Sequence, residues 1–206
     1  MSVGEAVAVE RVQAALPEGR SLGWWGVVWT ITTESVLFAL LIMSYLFIAM
    51  NHDHWPTEGT HPPELMKVGA RSVILLASSI PMEIADKGIQ KGSQARLRWG
   101  VAGAFLLGLA FIIGHFIEYY ELPFHWDTHV YGSLFWTITS FHAAHLIVGL
   151  LMLAFVFYGA QRGWYSRRRH TGVKVATLYW HFVDGIWVVV FSTVYLFPHL
   201  HPLLKH

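Results

Sequence analysis

The 206-residue chain contains no cysteine. This excludes disulfides, iron–sulfur clusters held by Cys, c-type haem attachment, thiolate copper sites and cysteine nucleophiles. Charge is also scarce. Only 13% of the residues are Asp, Glu, Lys or Arg, against roughly 25% in a soluble domain. Neither sign dominates, because 14 basic residues stand against 13 acidic ones, a net of +1. A nucleic-acid surface needs a basic footprint, and this balance supplies none. The period-2 alternation of a membrane barrel is missing, as are a phosphate loop, a nucleophile elbow and internal repeats.

What is abundant is apolar: 54% of the chain is hydrophobic and 15% aromatic, with 10 Trp and 13 His. That content is too high for disorder and too evenly spread for one water-soluble core. The charges are absent in blocks. Residues 24–50 hold one, Glu34; 99–117 and 131–160 hold none; 175–197 hold one, Asp184. A helix needs about 20 apolar residues to cross hydrocarbon, so these blocks predict transmembrane helices. A fifth, 68–89, is weaker, with an uncharged stretch of only 11 residues from Ser72 to Met82. Arg71 could snorkel at one end, and Glu83 and Lys87 stand one turn apart at the other. The first block is too long, and too far from the start, for a cleaved signal peptide. The expected architecture is all-α and polytopic: a cytoplasmic tail 1–23, a five-helix bundle 24–198 with a lipid-binding cleft, and a short outer tail 199–206.

Loop charges set the expected orientation. With five spans, Arg11, Arg20, Lys87, Lys91, Arg96, Arg98, Arg162, Arg167, Arg168, Arg169 and Lys174 share one side, and only Lys67, Arg71 and Lys205 the other. The positive-inside rule then places the N-terminus in the cytoplasm and the C-terminus outside. With four spans the basic loops would fall on opposite sides, which argues for the fifth helix. The outer loops are acidic, with Asp53, Glu58 and Glu64 in one and Glu118, Glu121 and Asp127 in the other.

A charge in hydrocarbon costs at least ~2.5–3.5 kcal/mol, so each one needs a reason. Glu34 lies two to three turns into the first span. His181 and Asp184 are one turn apart, as are His142 and His145, so each pair is expected on one face. Turned inward, the carboxylates would meet imidazoles or hydroxyls such as Thr33, Ser35 and Ser140. Three readings compete: interhelical hydrogen bonding, a proton-handling or lipid-headgroup site, and a metal or haem site. Haem needs axial ligands on facing helices, and a di-iron site needs more carboxylates than these spans hold. Gly100, Ala104 and Gly108 form a small-residue stripe for close helix approach. Trp24, Trp25, Trp99, Trp126, Trp164 and Tyr165 read as interface anchors. Arg167-Arg168-Arg169-His170 reads as a cytoplasmic anchor that also contacts anionic headgroups. His199, His201 and His206 read as surface.

Glu118-Tyr119-Tyr120-Glu121-Leu122-Pro123-Phe124, followed by Val130-Tyr131-Gly132-Ser133, resembles the central signature of haem-copper oxidase subunit III. Phe141-His142-Ala143-Ala144-His145 with Gly149 is similar to that family's Phe-His-Gly-Leu-His stretch. Tyr179-Trp180-His181-Phe182-Val183-Asp184 matches its Trp-His-Phe-Val-Asp motif. Thr33-Glu34-Ser35-Val36-Leu37-Phe38 and Leu75-Leu76-Ala77-Ser78-Ser79 resemble its first two shared helices, with Glu34 at the family's intramembrane glutamate. Ala143-Ala144, Ser140 and Pro81 depart from the usual Gly-Leu, Gly and Thr. The chain resembles the five-helix bacterial form.

The resemblance implies an accessory subunit in a bacterial cell membrane, packed beside subunits I and II of a terminal oxidase that reduces oxygen to water and pumps protons. It implies no haem or copper in this chain, with both in partner subunits. It implies bound phospholipid and support for sustained turnover and proton uptake. Glu34 is then the first candidate for a functional role, with His142, His145, His181 and Asp184 structuring the cleft or handling protons. Trp180 and Arg167 to Arg169 are candidate lipid contacts; Glu118, Tyr119, Tyr120, Glu121, Tyr131 and Gly132 carry the family signature. Other readings stay open at this point: an accessory protein of a nitric oxide reductase, a stand-alone proton or ion transporter, and a haem-binding anchor.

Overall fold

The computed structural model describes residues 22–52, 54–56, 60 and 63–204. The expected tail 1–23 therefore lies outside it except for Leu22 and Gly23, as do Arg11, Arg20, Asp53, Glu58, Lys205, His206 and the side chain of His201. The elements are α1 (Leu22–Met50), α2 (Leu65–Gln90), α3 (Gln94–Glu121), α4 (Val130–Gln161) and α5 (Thr171–Val190). The last runs through a π-helical stretch, Phe191–Leu196, into α6 (Phe197–Leu204), so residues expected as an outer tail are helical as far as Leu204. Five spans are long and apolar enough to cross a membrane, the weak 68–89 block among them. Among the described residues there is no strand, and the chain is an all-α, polytopic protein.

Local chemistry ends each helix where it must. After α2, Gly92 takes φ +82°, and the N–H groups of Gly92 and Ser93 close on the carbonyls of Ile89 and Gly88. A left-handed residue there favours glycine, which has no Cβ to clash. Ser93 then caps α3 by accepting from the Arg96 N–H. Gly163, at φ +71°, ends α4 in the same way, with Trp164 N–H reaching the Gly159 carbonyl at 2.9 Å. His129 caps α4 through Nδ1, which accepts from the Gly132 N–H at 2.8 Å.

The helices alternate in direction, and polar ties join the loops at each end. At one end Gln94 donates to the Tyr165 carbonyl (2.6 Å) and Arg98 to the Ala160 carbonyl (3.2 Å). This basic end also carries Lys87, Lys91, Arg96, Arg162, Arg167 to Arg169 and Lys174. At the other end Trp55 donates to Tyr45 Oη (2.9 Å), and Thr60 and His129 meet at 2.8 Å. Tyr165 is not an exposed anchor. Its ring is buried over Gly159 and Gly172, and burial pushes its phenol above the ordinary value.

α5 sits at the centre, packed on α1, α2 and α4, while α3 closes the space between α2 and α4. Trp180 and Trp187 on α5 are fully buried and donate to Ser78 and Ser72 on α2, both at 2.9 Å. Buried indoles keep a partner for their N–H in this way. The small-residue stripe does what its spacing predicts. Gly100 lies against the Pro81 carbonyl and Ala85, and Gly108 faces the Trp180 ring. A Cβ at 108 would stand 2.5 Å from Trp180 Cη2. Gly108→Val should therefore destabilise the bundle by about 1–3 kcal/mol. Gly69→Ala, where a Cβ meets nothing within 4 Å, should not. Thermal unfolding of the two variants in detergent checks the contrast.

Candidate functional site

Glu34 on α1 reaches across to α4. Its Oε2 lies 3.0 Å from His145 Nε2, with the two side chains 30% and 14% exposed. The other imidazole nitrogen, Nδ1, is 2.7 Å from the Phe141 carbonyl. A carbonyl only accepts, so Nδ1 carries a hydrogen. A neutral ring would then turn a bare Nε2 toward a carboxylate, acceptor against acceptor. The pair is satisfied only when it holds one further proton, on Nε2 or on Glu34. The hydroxyls expected beside Glu34 do not serve it. Thr33 and Ser35 donate back to carbonyls of their own helix, as polar side chains in apolar helices commonly do. Ser140 pairs with Tyr119 at 3.2 Å.

His142 and His145 do not share a site. Three residues of α-helix leave a rotation of about 60°. That is enough to turn His142 inward, fully buried, with Nε2 3.3 Å from the Val183 carbonyl and its ring on Trp187. His181 and Asp184 do converge. Both meet the Ser79 hydroxyl on α2: His181 Nδ1 at 3.0 Å, and Asp184 Oδ2 through a short hydrogen bond. His181 Nε2 points the other way, 3.5 Å from Glu83 Oε2. A lateral groove of about 500 Å³, lined by Ser79, Ile80, Glu83, Ile84, Lys87 and His181, opens beside this chain. A similar groove of about 480 Å³, with Val36, Leu40 and Phe141 in its wall, runs between α1 and α4 near Glu34.

One cluster escaped the sequence reading. Arg71 on α2 does not snorkel. Its guanidinium lies 2.8 Å from Glu118 Oε2 on α3 and also donates to the Gly114 carbonyl. His115 Nδ1 (3.4 Å) and Tyr195 Oη (3.3 Å) face the same carboxylate oxygen. Glu118 is thus a buried α3 residue rather than a loop acid. The available signal was a lone Arg beside an uncharged stretch, matched by a lone Glu just past another. Trp180 is buried between helices and presents no face to lipid. Arg167, Arg168 and Arg169 are exposed, and Arg169 Nε donates to the Trp164 carbonyl at 2.9 Å. Among the described residues no three His, Asp or Glu side chains converge as a metal-ligand group.

The sequence matches the profile described as Cytochrome c oxidase subunit III over residues 14–199. The chain belongs to the cytochrome c oxidase subunit III family. It is 39% identical over 178 residues to cytochrome c oxidase subunit 3 of Synechocystis sp., covering 85% of this chain and 76% of that one. Its identity to cytochrome c oxidase subunit 3 of Thermostichus vulcanus is 33% over 196 residues, 95% of each chain. With the subunit of Ovis aries it is 32% over 142 residues, 68% of this chain and 54% of the other.

The residues that resemble the subunit III signature fall at the end of the bundle opposite the basic loops. Glu118 to Glu121 form the last turn of α3. Glu118 holds Arg71; Tyr119 Oη meets Thr139 at 2.7 Å; Tyr120 is 92% exposed; Glu121 faces Lys67 at 3.7 Å. Tyr131 is buried against Trp55 and Phe124. Gly132 leaves its N–H open to His129, in a space where a Cβ would stand 2.6 Å from the His125 carbonyl.

Proposed function

We propose that this chain is the accessory subunit III of a bacterial haem-copper terminal oxidase. It supports the proton-coupled reduction of oxygen to water by subunit I, beside subunit II, and binds phospholipid. It holds no redox metal of its own; haems and copper belong to the partner subunits. It lies in the cell membrane with the N-terminus cytoplasmic and the C-terminus outside. The Glu34–His145 pair carries this reading most directly. It is a carboxyl within the first span, 30% exposed, at the position that resembles the family's intramembrane glutamate, and its hydrogen-bond pattern requires a proton. The basic loops at one end support the orientation, because positive residues gather on the cytoplasmic side.

Purification from native membranes in mild detergent tests the assignment. The expected result is co-purification with a haem-copper subunit and a copper-bearing subunit II. A haem-copper partner lacking subunit II would move the chain to a nitric oxide reductase. Ion flux by the isolated chain in liposomes, or a haem spectrum of its own, would overturn the accessory role. Replacing Arg167, Arg168 and Arg169 with Gln should lower the amount of anionic phospholipid retained by the complex. Each basic residue near a membrane surface contributes about 1 kcal/mol of attraction. Phosphorus analysis of the purified variant reads the loss, and unchanged lipid content would remove these arginines from lipid binding.

A further inference from the structure

The α2–α5 groove does not end at its wall. Glu83 Oε2, His181 Nε2 and Nδ1, Ser79 Oγ and Asp184 Oδ2 follow one another from the groove into the bundle. Two links, at Ser79, are hydrogen bonds; the third, at 3.5 Å, is in ion-pair range. An approach of about 0.5 Å turns it into a hydrogen bond. Glu83 is 42% exposed at the groove, whereas Asp184 is 4% exposed in the interior. The chain thus joins an open carboxyl to a closed one.

A proton count decides what the chain does. Each link needs one hydrogen. A neutral imidazole and a serine hydroxyl supply one each, which leaves one link of three without a hydrogen if both carboxyls are ionised. We propose that Glu83, His181, Ser79 and Asp184 form one proton relay that holds a single shared proton between the groove and the buried end.

The relay has two end states of equal charge. In one, Asp184 is the neutral acid and donates to Ser79, Ser79 donates to His181 Nδ1, and Nε2–H donates to an ionised Glu83. In the other, Glu83 is the neutral acid and donates to Nε2, Nδ1–H donates to Ser79, and Ser79 donates to an ionised Asp184. Passage between them moves each hydrogen across one link. The O–H of Asp184 breaks as a Ser79 O–H forms. The old Ser79 O–H breaks as Nδ1–H forms, and Nε2–H breaks as the Glu83 O–H forms. The net result is one proton carried from Asp184 to Glu83, or the reverse, with no side chain changing partner.

Neighbouring charges bias the position of the proton. On α2, Lys87 Nζ lies 2.8 Å from Glu83 Oε1, and Glu83 in turn acts on Asp86 through space. On α4, His142 holds the carbonyl of Val183, next to Asp184, while His145 on α4 and Glu34 on α1 are engaged with each other. Ser79 is the hinge of the relay, because it is the shared partner of His181 and Asp184. This goes beyond the accessory role proposed above, since it rests on Ser79 and Glu83 and needs no particular partner subunit.

Infrared pH titration of the full chain, purified with its bound partners and native lipid, tests the relay through the carbonyl band of protonated carboxyls. Asp184→Asn should remove or shift that band, which assigns it. Glu83→Gln should then move the titration of the Asp184 band by about one pH unit, tenfold in proton affinity, the scale at which coupled groups titrate as a unit. In a Ser79→Ala background the same Glu83→Gln change should have no effect, and Ser79→Thr should restore it. A Glu83→Gln shift of the same size with and without the hydroxyl would show field coupling through space and overturn the relay. A titration that ignores Glu83→Gln in the native background overturns it as well. Neither result touches the oxidase assignment, which partner co-purification decides separately.

Discussion

Arg71→Met is expected to destabilise the bundle by about 3–5 kcal/mol, the largest stability effect of any single change considered. The Arg71 and Glu118 side chains are 18% and 8% exposed, and the guanidinium is the nearest cation to the carboxylate. Without it, His115 and Tyr195 would still face Glu118 Oε2, but a buried negative charge would have lost its partner. Such a charge is strongly unfavourable in a medium of low dielectric constant. Replacing both members should recover most of the loss, because an apolar pair of similar size is often nearly neutral. Unfolding of Arg71→Met, Glu118→Gln and the double variant, compared as a cycle, measures the coupling. Additive losses would show that the two groups do not depend on each other.

Glu34→Gln is expected to leave the complex assembled but shorten the active life of the oxidase several-fold during turnover. The geometry separates these effects. A glutamine carbonyl or amide can still meet His145 Nε2, so the α1–α4 tie survives in form. An amide cannot take up the proton that the pair requires, so the proton-handling role is lost. The measurements are subunit content after purification, and oxygen consumption followed to inactivation. Wild-type rate and lifetime would remove Glu34 from any functional role and leave interhelical bonding as its purpose. Loss of the chain from the complex would give the pair a structural role instead.

Much of this was legible from the distribution of charge. Uncharged blocks mark the spans because a helix satisfies its own backbone, while each charge in hydrocarbon carries a large penalty. Even the weak second span follows from loop parity. The positions of Glu34 and Asp184 as unusual carboxyls were equally visible. Their partners were not. Glu34 finds a residue 111 positions away, and Asp184 one 105 positions away. Sequence spacing reports neighbours on one helix only.

The same limit explains the misplacements. Periodicity put His142 and His145 on one face, but a small angular offset sends one into the core and the other to α1. Trp180 was expected to contact lipid, yet Gly108 and Gly149 make room for its ring between α3 and α4. Tyr165 follows a span like an interface anchor, yet Gly159 and Gly172 draw it under the basic loops. Arg71 and Glu118 each looked like the charged edge of a span and proved to be one buried pair. The sequence by itself determined that the chain carries five helices long and apolar enough to cross a membrane and which charges stand out, because those follow from hydration. Only the tertiary structure decided which groups meet, and so which buried charges are paired, because hydrogen bonding and ion pairing across helices depend on distances of a few ångströms that the order of residues does not encode.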